Sequence, residues 1–334
     1  MKNNHVRLVC LMVLGLFVLT SPVWGGGSQE SGSAGAAAAY PSRPVNILVP
    51  AAPGGDTDFN ARITARYLEQ QLGQSFPVVN NAGRSGLDAA RQLMSAPADG
   101  YLLYYWFTGS FSIAIASGLV DDDLLNNFDI VCCPNQRVPD VLAVRADFPV
   151  NTIKEFIEYS KTHQVNWAIN VGSTPHFHGI VMNNVYGAKL NFVASGNAVQ
   201  RIAGLLGGTV DAIPVAYGVV RDYVEQTKEI KLICTLGEKR DWYLPNVPTA
   251  VEQGYDKLYL LSRDVLYVRK GTDPAILKKL ADAHEKTVKI PSFAEEIKKA
   301  YYQEPFFLRD EEAKQFIAKE HARYMEYSQY FKQK

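Results

Sequence analysis

The stretch Val45 to Phe59, Val-Asn-Ile-Leu-Val-Pro-Ala-Ala-Pro-Gly-Gly-Asp-Thr-Asp-Phe, constrains the fold more than any other part of the chain. Val45, Ile47, Leu48 and Val49 form a short apolar run of the kind found in a parallel strand covered on both faces. Pro50 and Pro53 end that run. Gly54 and Gly55 then open backbone conformations closed to other residues and leave room for a ligand to touch main chain. Behind them Phe59, Ile63, Tyr67, Leu68 and Leu72 recur at helical spacing, with Asp56, Thr57 or Asp58 available as N-cap. A strand, a glycine turn and a helix N-terminus together present unpaired N–H groups and a positive dipole end, which suits a carboxylate or another anion. A Gly-Gly turn in this place also serves tight packing alone.

From Tyr40 onward the pattern of strand and helix repeats. Phe76–Val79 reads as a strand, Asn80–Gly86 as a second glycine turn, and Leu87, Ala90, Leu93 and Met94 as a helical stripe. Pro97–Gly100 is a turn signal. Tyr101–Phe107 is an aromatic strand that ends in a third polar turn, Thr108-Gly109-Ser110. Three such turns on one sheet edge are the usual place for a ligand in an open α/β sheet. Asn127–Asn135 and Val141–Arg145 read as strands flanking a first crossing into a second α/β unit. Thr152 and Glu155 are spaced as a capping box for the helix that follows. Strands are expected at Val165–Val171, Leu190–Val193, Val210–Val215, Lys231–Thr235 and Val265–Val268. This second unit has its own polar turns, at Gly172-Ser173-Thr174 and Ser195-Gly196-Asn197. The tail from Ser292 is amphipathic and is expected to pack back on the first unit.

Lys2 and Arg7, the apolar run Leu8–Leu19 and the small residues before Gly25 predict a secretory signal peptide over residues 1–25. The run is too short to span a bilayer comfortably. Residues 26–39, rich in Gly, Ser and Ala, read as a flexible tether. The full chain has 34 basic and 34 acidic residues, and removal of Lys2 and Arg7 leaves 32 against 34. That balance argues against nucleic acid or an anionic membrane surface as partner. Three cysteines remain, Cys132, Cys133 and Cys234. They read as buried thiols, with a bridge from Cys132 or Cys133 to Cys234 left open.

Catalytic patterns are missing. There is no G-x-G-x-x-G and no G-x-x-x-x-G-K-[ST], so no nucleotide loop, and no G-x-S-x-G elbow. His176 and His178, two residues apart on a helix, face different directions and have no carboxylate or thiol cluster beside them. Asp121-Asp122-Asp123 lacks the ligand series that calcium needs. No cofactor and no metal is expected. A cleft lined by backbone N–H groups and the hydroxyls and amides of Ser, Thr and Asn suits recognition of a small polar anion without turnover.

A set of ordered segments also carries a resemblance. Val49-Pro50 followed by Pro53-Gly54-Gly55-Asp56-Thr57-Asp58 resembles the V-P-x-x-x-G-G-x-x-D segment of the periplasmic solute-binding proteins of tripartite tricarboxylate transporters, the Bug family. Asn81–Gly86, Asp99-Gly100-Tyr101, Gly172-Ser173 with His176, Leu205–Gly208 with Asp211, and Val247-Pro248-Thr249 with Glu252 and Gly254-Tyr255 follow in the same order. The resemblance implies a type II periplasmic-binding-protein fold, two α/β domains with a ligand cleft between them. It implies domain one at 40–140 and 262–334, discontinuous, and domain two at 141–261. It implies a monomeric extracytoplasmic, non-enzymatic protein that captures a di- or tricarboxylate or an acidic amino acid for separate membrane permease subunits. A ligand-sensing subunit for a membrane signalling partner is the alternative. Carried onto this chain, the ligand-holding positions are Gly54, Gly55, Asp56, Thr57, Asp58, Thr108, Gly172, Ser173, Thr174, Ser195, Gly196 and Asn197. Two departures stand out. Ser195-Gly196-Asn197 replaces a Tyr-Lys-Gly type segment and removes a lysine. Asp56 adds a carboxylate that repels a di- or tricarboxylate unless it points away or meets a cation, and Asp58 reads as a helix cap rather than a contact.

Overall fold

The structure is a computed structural model and describes residues 39–121 and 124–331. The expected signal peptide, the tether up to residue 38 and Asp122 and Asp123 of the acidic run lie outside the described residues. In chain order the strands are β1 Asn46–Val49, β2 Val78–Asn80, β3 Leu102–Phe107, β4 Phe128–Gln136, β5 Asp140–Arg145, β6 Val165–Ile169, β7 Leu190–Ala194, β8 Ala212–Ala216, β9 Ile230–Thr235 and β10 Arg263–Arg269. The helices are α1 Asp56–Leu72, α2 Leu87–Ser95, α3 Gly109–Ala116, α4 Ile153–Thr162, α5 Thr174–Val185, α6 Ala198–Leu206, α7 Tyr217–Glu225, α8 Pro274–Thr287, α9 Pro291–Tyr301, α10 Asp310–Met325 and α11 Ser328–Phe331.

The strands form two five-stranded sheets, ordered β2-β1-β3-β10-β4 and β7-β6-β8-β5-β9. In the first, β1 runs parallel to β2 and β3, and β10 returns antiparallel between β3 and β4. The second repeats the plan, with β6 parallel to β7 and β8 and β5 antiparallel between β8 and β9. Ile47, Leu48 and Val49 are fully buried, as expected of a strand covered on both faces. Each sheet separates two layers of apolar side chains, so each lobe has its own core.

Before its C-terminal tail the chain passes between the lobes twice, directly from β4 to β5 through residues 137–139 and from β9 to β10 through residues 236–262. The two passages lie side by side. Arg137 N–H donates to Ser262 O at 3.0 Å, and Leu236 N–H to Asp140 O at 2.8 Å.

Four local expectations differ. Thr108-Gly109-Ser110 is no loop but the start of α3, whose residues Gly109–Ala116 are all buried. A helix buried on every face has no amphipathic period to read. The N-cap of α1 is Gly55, without a side-chain cap bond, rather than Asp56, Thr57 or Asp58. Only half of the capping box forms at α4. Thr152 accepts from Glu155 N–H at 3.1 Å, but the Glu155 carboxylate takes Asn151 N–H at 2.7 Å. The tail does lie on the first lobe, with Ala313 and Ile317 of α10 in its core beside Phe111 and Cys133. It then crosses to the second, where Tyr324 and Tyr327 pack edge-on against Phe177 at 5.0 and 5.2 Å between ring centroids. Cys132, Cys133 and Cys234 are buried free thiols. Burial pushes the thiols up, that of Cys133 to about 12.

Candidate functional site

Between the lobes, against the two passages, lies a cavity of about 310 Å3. That is at the small end of ligand pockets, which run roughly 300–1,000 Å3. Four helix N-termini border it, those of α1, α5 and α6 and, through Ala216 and Val219, that of α7. From the first lobe come Gly55, Asp56 and Thr57 at the start of α1, with the Pro50–Pro53 turn behind them. The second lobe contributes Ser173 and Thr174 at the start of α5, and Asn197, Ala198 and Val199 at the start of α6. The first amides of each helix precede its own hydrogen-bond ladder, and the dipole ends aim positive potential inward. Trp106, Phe107, Leu236 and Leu260 supply apolar wall.

Of the residues expected from sequence, Gly55, Asp56, Thr57, Gly172, Ser173, Thr174, Gly196 and Asn197 line this cavity. Gly54, Asp58, Thr108 and Ser195 do not. Gly54, at φ +88°, shapes the turn, and its N–H donates to Asp58 Oδ2 at 3.0 Å. Asp58 also accepts from Arg62 Nε at 2.9 Å and Asn80 Nδ2 at 2.8 Å, tying the glycine turn to the end of β2. Burial alone would raise its carboxyl, and these three donors outweigh burial and hold it below the usual range. Thr108 is buried against β10, its N–H on Arg263 O at 2.8 Å. The Ser195 hydroxyl donates to Val193 O at 3.0 Å. Of the three polar turns expected on the first sheet, the second contributes Ala82 alone and the third contributes nothing.

Several lining side chains are already spent on structure. The Asn197 side chain and Gln200 complete a reciprocal capping box, with both bonds at 3.0 Å. The Ser173 hydroxyl donates to Asn170 O at 2.5 Å. What these leave open at the α6 N-terminus are the amides of Ala198 and Val199. His178 is fully buried in the wall, its Nε2 donating to Leu258 O at 3.1 Å. Burial pushes it down to about 3, so it is neutral and its Nδ1, without a partner, is an acceptor.

The charges are the part that sequence reasoning missed. Arg137, in the first passage, reaches into the cavity wall and is paired there. Its Nη1 donates to Thr57 Oγ1 and Asp264 Oδ1, each at 3.0 Å, and its Nη2 pairs with Asp56. Asp264, with no exposure at all, accepts further from Tyr105 at 2.9 Å and Asn60 at 3.1 Å. Burial raises the Asp264 carboxyl and Arg137 opposes the rise. Asp56 has therefore met a cation, one supplied by the chain itself.

Arg201 and Asp140 line the same cavity. Arg201 is 9 % exposed, and Nη1 donates to Gly196 O at 3.0 Å while Nε meets no acceptor. Burial lowers its pKa, against the pull of Asp140 and Asp56. Asp140, half-buried, is pushed up to about 6 by burial and by Asp56, against Arg137 and Arg201. The sequence does hold a signal for both arginines. Arg137 interrupts an otherwise uncharged passage between two strands, and Arg201 stands one turn before Leu205 on the apolar stripe of α6.

Comparison with known proteins agrees with this architecture. The family model described as "Tripartite tricarboxylate transporter family receptor" matches residues 60–329. Protein BugT of Bordetella pertussis is 29% identical over 282 residues, covering 82% of each chain. The periplasmic binding protein BugD has a solved structure that superposes with a TM-score of 0.75 at 27% identity, over 88% of this chain and 98% of that one. R. palustris Rpa4515, solved with adipate, superposes with a TM-score of 0.78 at 25% identity, over 87% and 98%. The family is one of transporter receptors rather than enzymes, and BugD is a periplasmic binding protein. The chain belongs to the tripartite tricarboxylate transporter receptor family, the Bug proteins.

Proposed function

We propose that this protein is an extracytoplasmic receptor that captures one small organic carboxylate between its lobes and delivers it to a tripartite-type membrane permease. The observation that carries the reading is the convergence of the α1, α5 and α6 N-termini on one small interlobe cavity. Such an arrangement solvates a carboxylate with backbone N–H groups at no cost of reorganisation. The adipate held by a neighbour of the same fold supports the ligand class.

In this reading the lobes are domain one, 40–140 with 262–334, and domain two, 141–261, and they close on ligand about the paired passages at 137–139 and 236–262. Closure is what couples binding to delivery, since a permease responds only to a difference between the free and loaded forms. The protein works as a monomer. No helix among the described residues is long and apolar enough to cross a membrane, and the permease is a separate chain. The site residues of this proposal are the eight lining positions expected from sequence together with Arg201 and Asp140.

A thermal-shift panel of mono-, di- and tricarboxylates, acidic amino acids and aromatic acids tests the reading. A ligand at 100 times its Kd stabilises the folded state by about 2.7 kcal/mol. A concentration-dependent rise in Tm with one chemical group is the expected outcome, and a flat response to every acid overturns it.

A further inference from the structure

We infer that Arg201 and Asp140 are a two-ended selectivity pair, Arg201 taking a ligand's carboxylate and Asp140 its ammonium, so that the solute is an aminocarboxylate rather than a plain organic acid. The inference rests on the carboxylate-receptor reading and deepens it.

The argument starts from which charges are committed. Five charged side chains line the cavity or brace its wall: Arg137, Arg201, Asp56, Asp140 and Asp264. Arg137, Asp56 and Asp264 satisfy one another, and Thr57 fills a further donor of the guanidinium. The charges of that cluster are already paired with one another. Arg201 and Asp140 are different. Neither forms an ion pair among the described residues, although each lies close enough to perturb the other's ionisation. Arg201 is nine-tenths buried, with one hydrogen bond to a backbone carbonyl and an Nε donor unused. The Asp140 carboxylate meets no hydrogen-bond donor among the described residues, while its own backbone carbonyl is held by Leu236. A buried guanidinium with an idle donor is costly unless a partner arrives. The cavity is therefore lined by one cation and one anion that form no ion pair with each other or with another described residue.

Charge balance points the same way. Three carboxylates against two guanidiniums leave the wall formally negative. A dicarboxylate adds two more negative charges to that wall. An aminocarboxylate adds none, or one if it is acidic, and satisfies Asp140 as well as Arg201.

The test is a calorimetric comparison of matched pairs, L-glutamate with glutarate, L-aspartate with succinate and L-leucine with 4-methylpentanoate, on the wild-type protein and on Asp140→Asn, Arg201→Gln and Arg201→Lys. The wild type is expected to bind at least one amino member about 30-fold more tightly than its partner, the lower end for a buried charge pair. Asp140→Asn collapses that ratio. Arg201→Gln weakens the amino member by a similar factor, and Arg201→Lys recovers part of it, which a merely structural role would not show. A wild type that binds the plain acids as tightly as their amino partners overturns the pair and leaves the carboxylate receptor standing. A wild type that binds neither group overturns both.

Discussion

Arg137 is the most informative residue to remove. Its guanidinium is the cation between Asp56 and the fully buried Asp264, and it anchors Thr57 at the first turn of α1. Arg137→Met keeps much of the aliphatic stem and deletes the charge. Removing one partner of a buried ion cluster costs about 3–5 kcal/mol, because the remaining charges stay buried without compensation. At the carboxylates the sign follows from linkage. Burial already holds the Asp264 carboxyl above its unfolded value, and losing Arg137 raises it further. The folded variant then binds protons that the unfolded chain releases, so its stability rises as pH falls towards the unfolded carboxylate value. Urea unfolding at pH 8 and pH 5 reads both effects. The expected outcome is a loss of about 3–5 kcal/mol at pH 8 and a smaller loss at pH 5. A loss under about 1 kcal/mol at pH 8, or an equal loss at both pH values, refutes the reasoning.

Three further outcomes follow from the geometry. Ser195→Ala is expected to leave ligand affinity unchanged in calorimetry, because the hydroxyl serves Val193 O and lies outside the cavity lining; a loss of about 1 kcal/mol would return Ser195 to the site. Asp140→Asn is expected to raise the melting temperature at pH 7.5. The folded carboxyl sits near 6, above its unfolded value, faced by Asp56, Arg137 and Arg201, so its ionisation destabilises the fold above that pH. The gain should fade as pH falls from 6 towards 4, and a gain that is constant with pH contradicts the assignment. Gly109→Ala places a Cβ 2.4 Å from the Tyr324 hydroxyl and 2.6 Å from its ring, so thermal melts should show a loss of about 1–3 kcal/mol. An unchanged Tm would mean that α10 gives way without cost.

Much of this molecule was readable because its signals are local. The strand and glycine turn at Val45–Gly55, the alternation that follows and the polar turns at Gly172–Thr174 and Gly196-Asn197 depend on neighbours in sequence, and the structure brings those turns to one cavity. Strand ends moved by a residue or two, as at β2 and β8. What stayed hidden depends on partners far along the chain. Arg137 lies 127 residues from Asp264 and 81 from Asp56, and nothing near it announces either. The α3 helix, buried on every side, shows no period. Ser195 and Thr108 are the right residue types in the right turns, yet their bonds go to neighbouring backbone. The tail's crossing to the second lobe turns on the fit of Tyr324 and Tyr327 against Phe177.

The central claim is that a carboxylate sits against the α1 N-terminus between the lobes. Calorimetric titration of wild type and Gly55→Val, side by side, with the acid that most raises Tm, tests it most directly. Gly55 has φ −86°, which valine adopts, and a Cβ added there meets no atom within 4 Å, so the fold tolerates the change at a residue that lines the cavity. The account predicts one acid per chain in the wild type and at least a tenfold weaker affinity, about 1.4 kcal/mol, in the variant. Equal affinity in both proteins would place the ligand elsewhere and contradict the account.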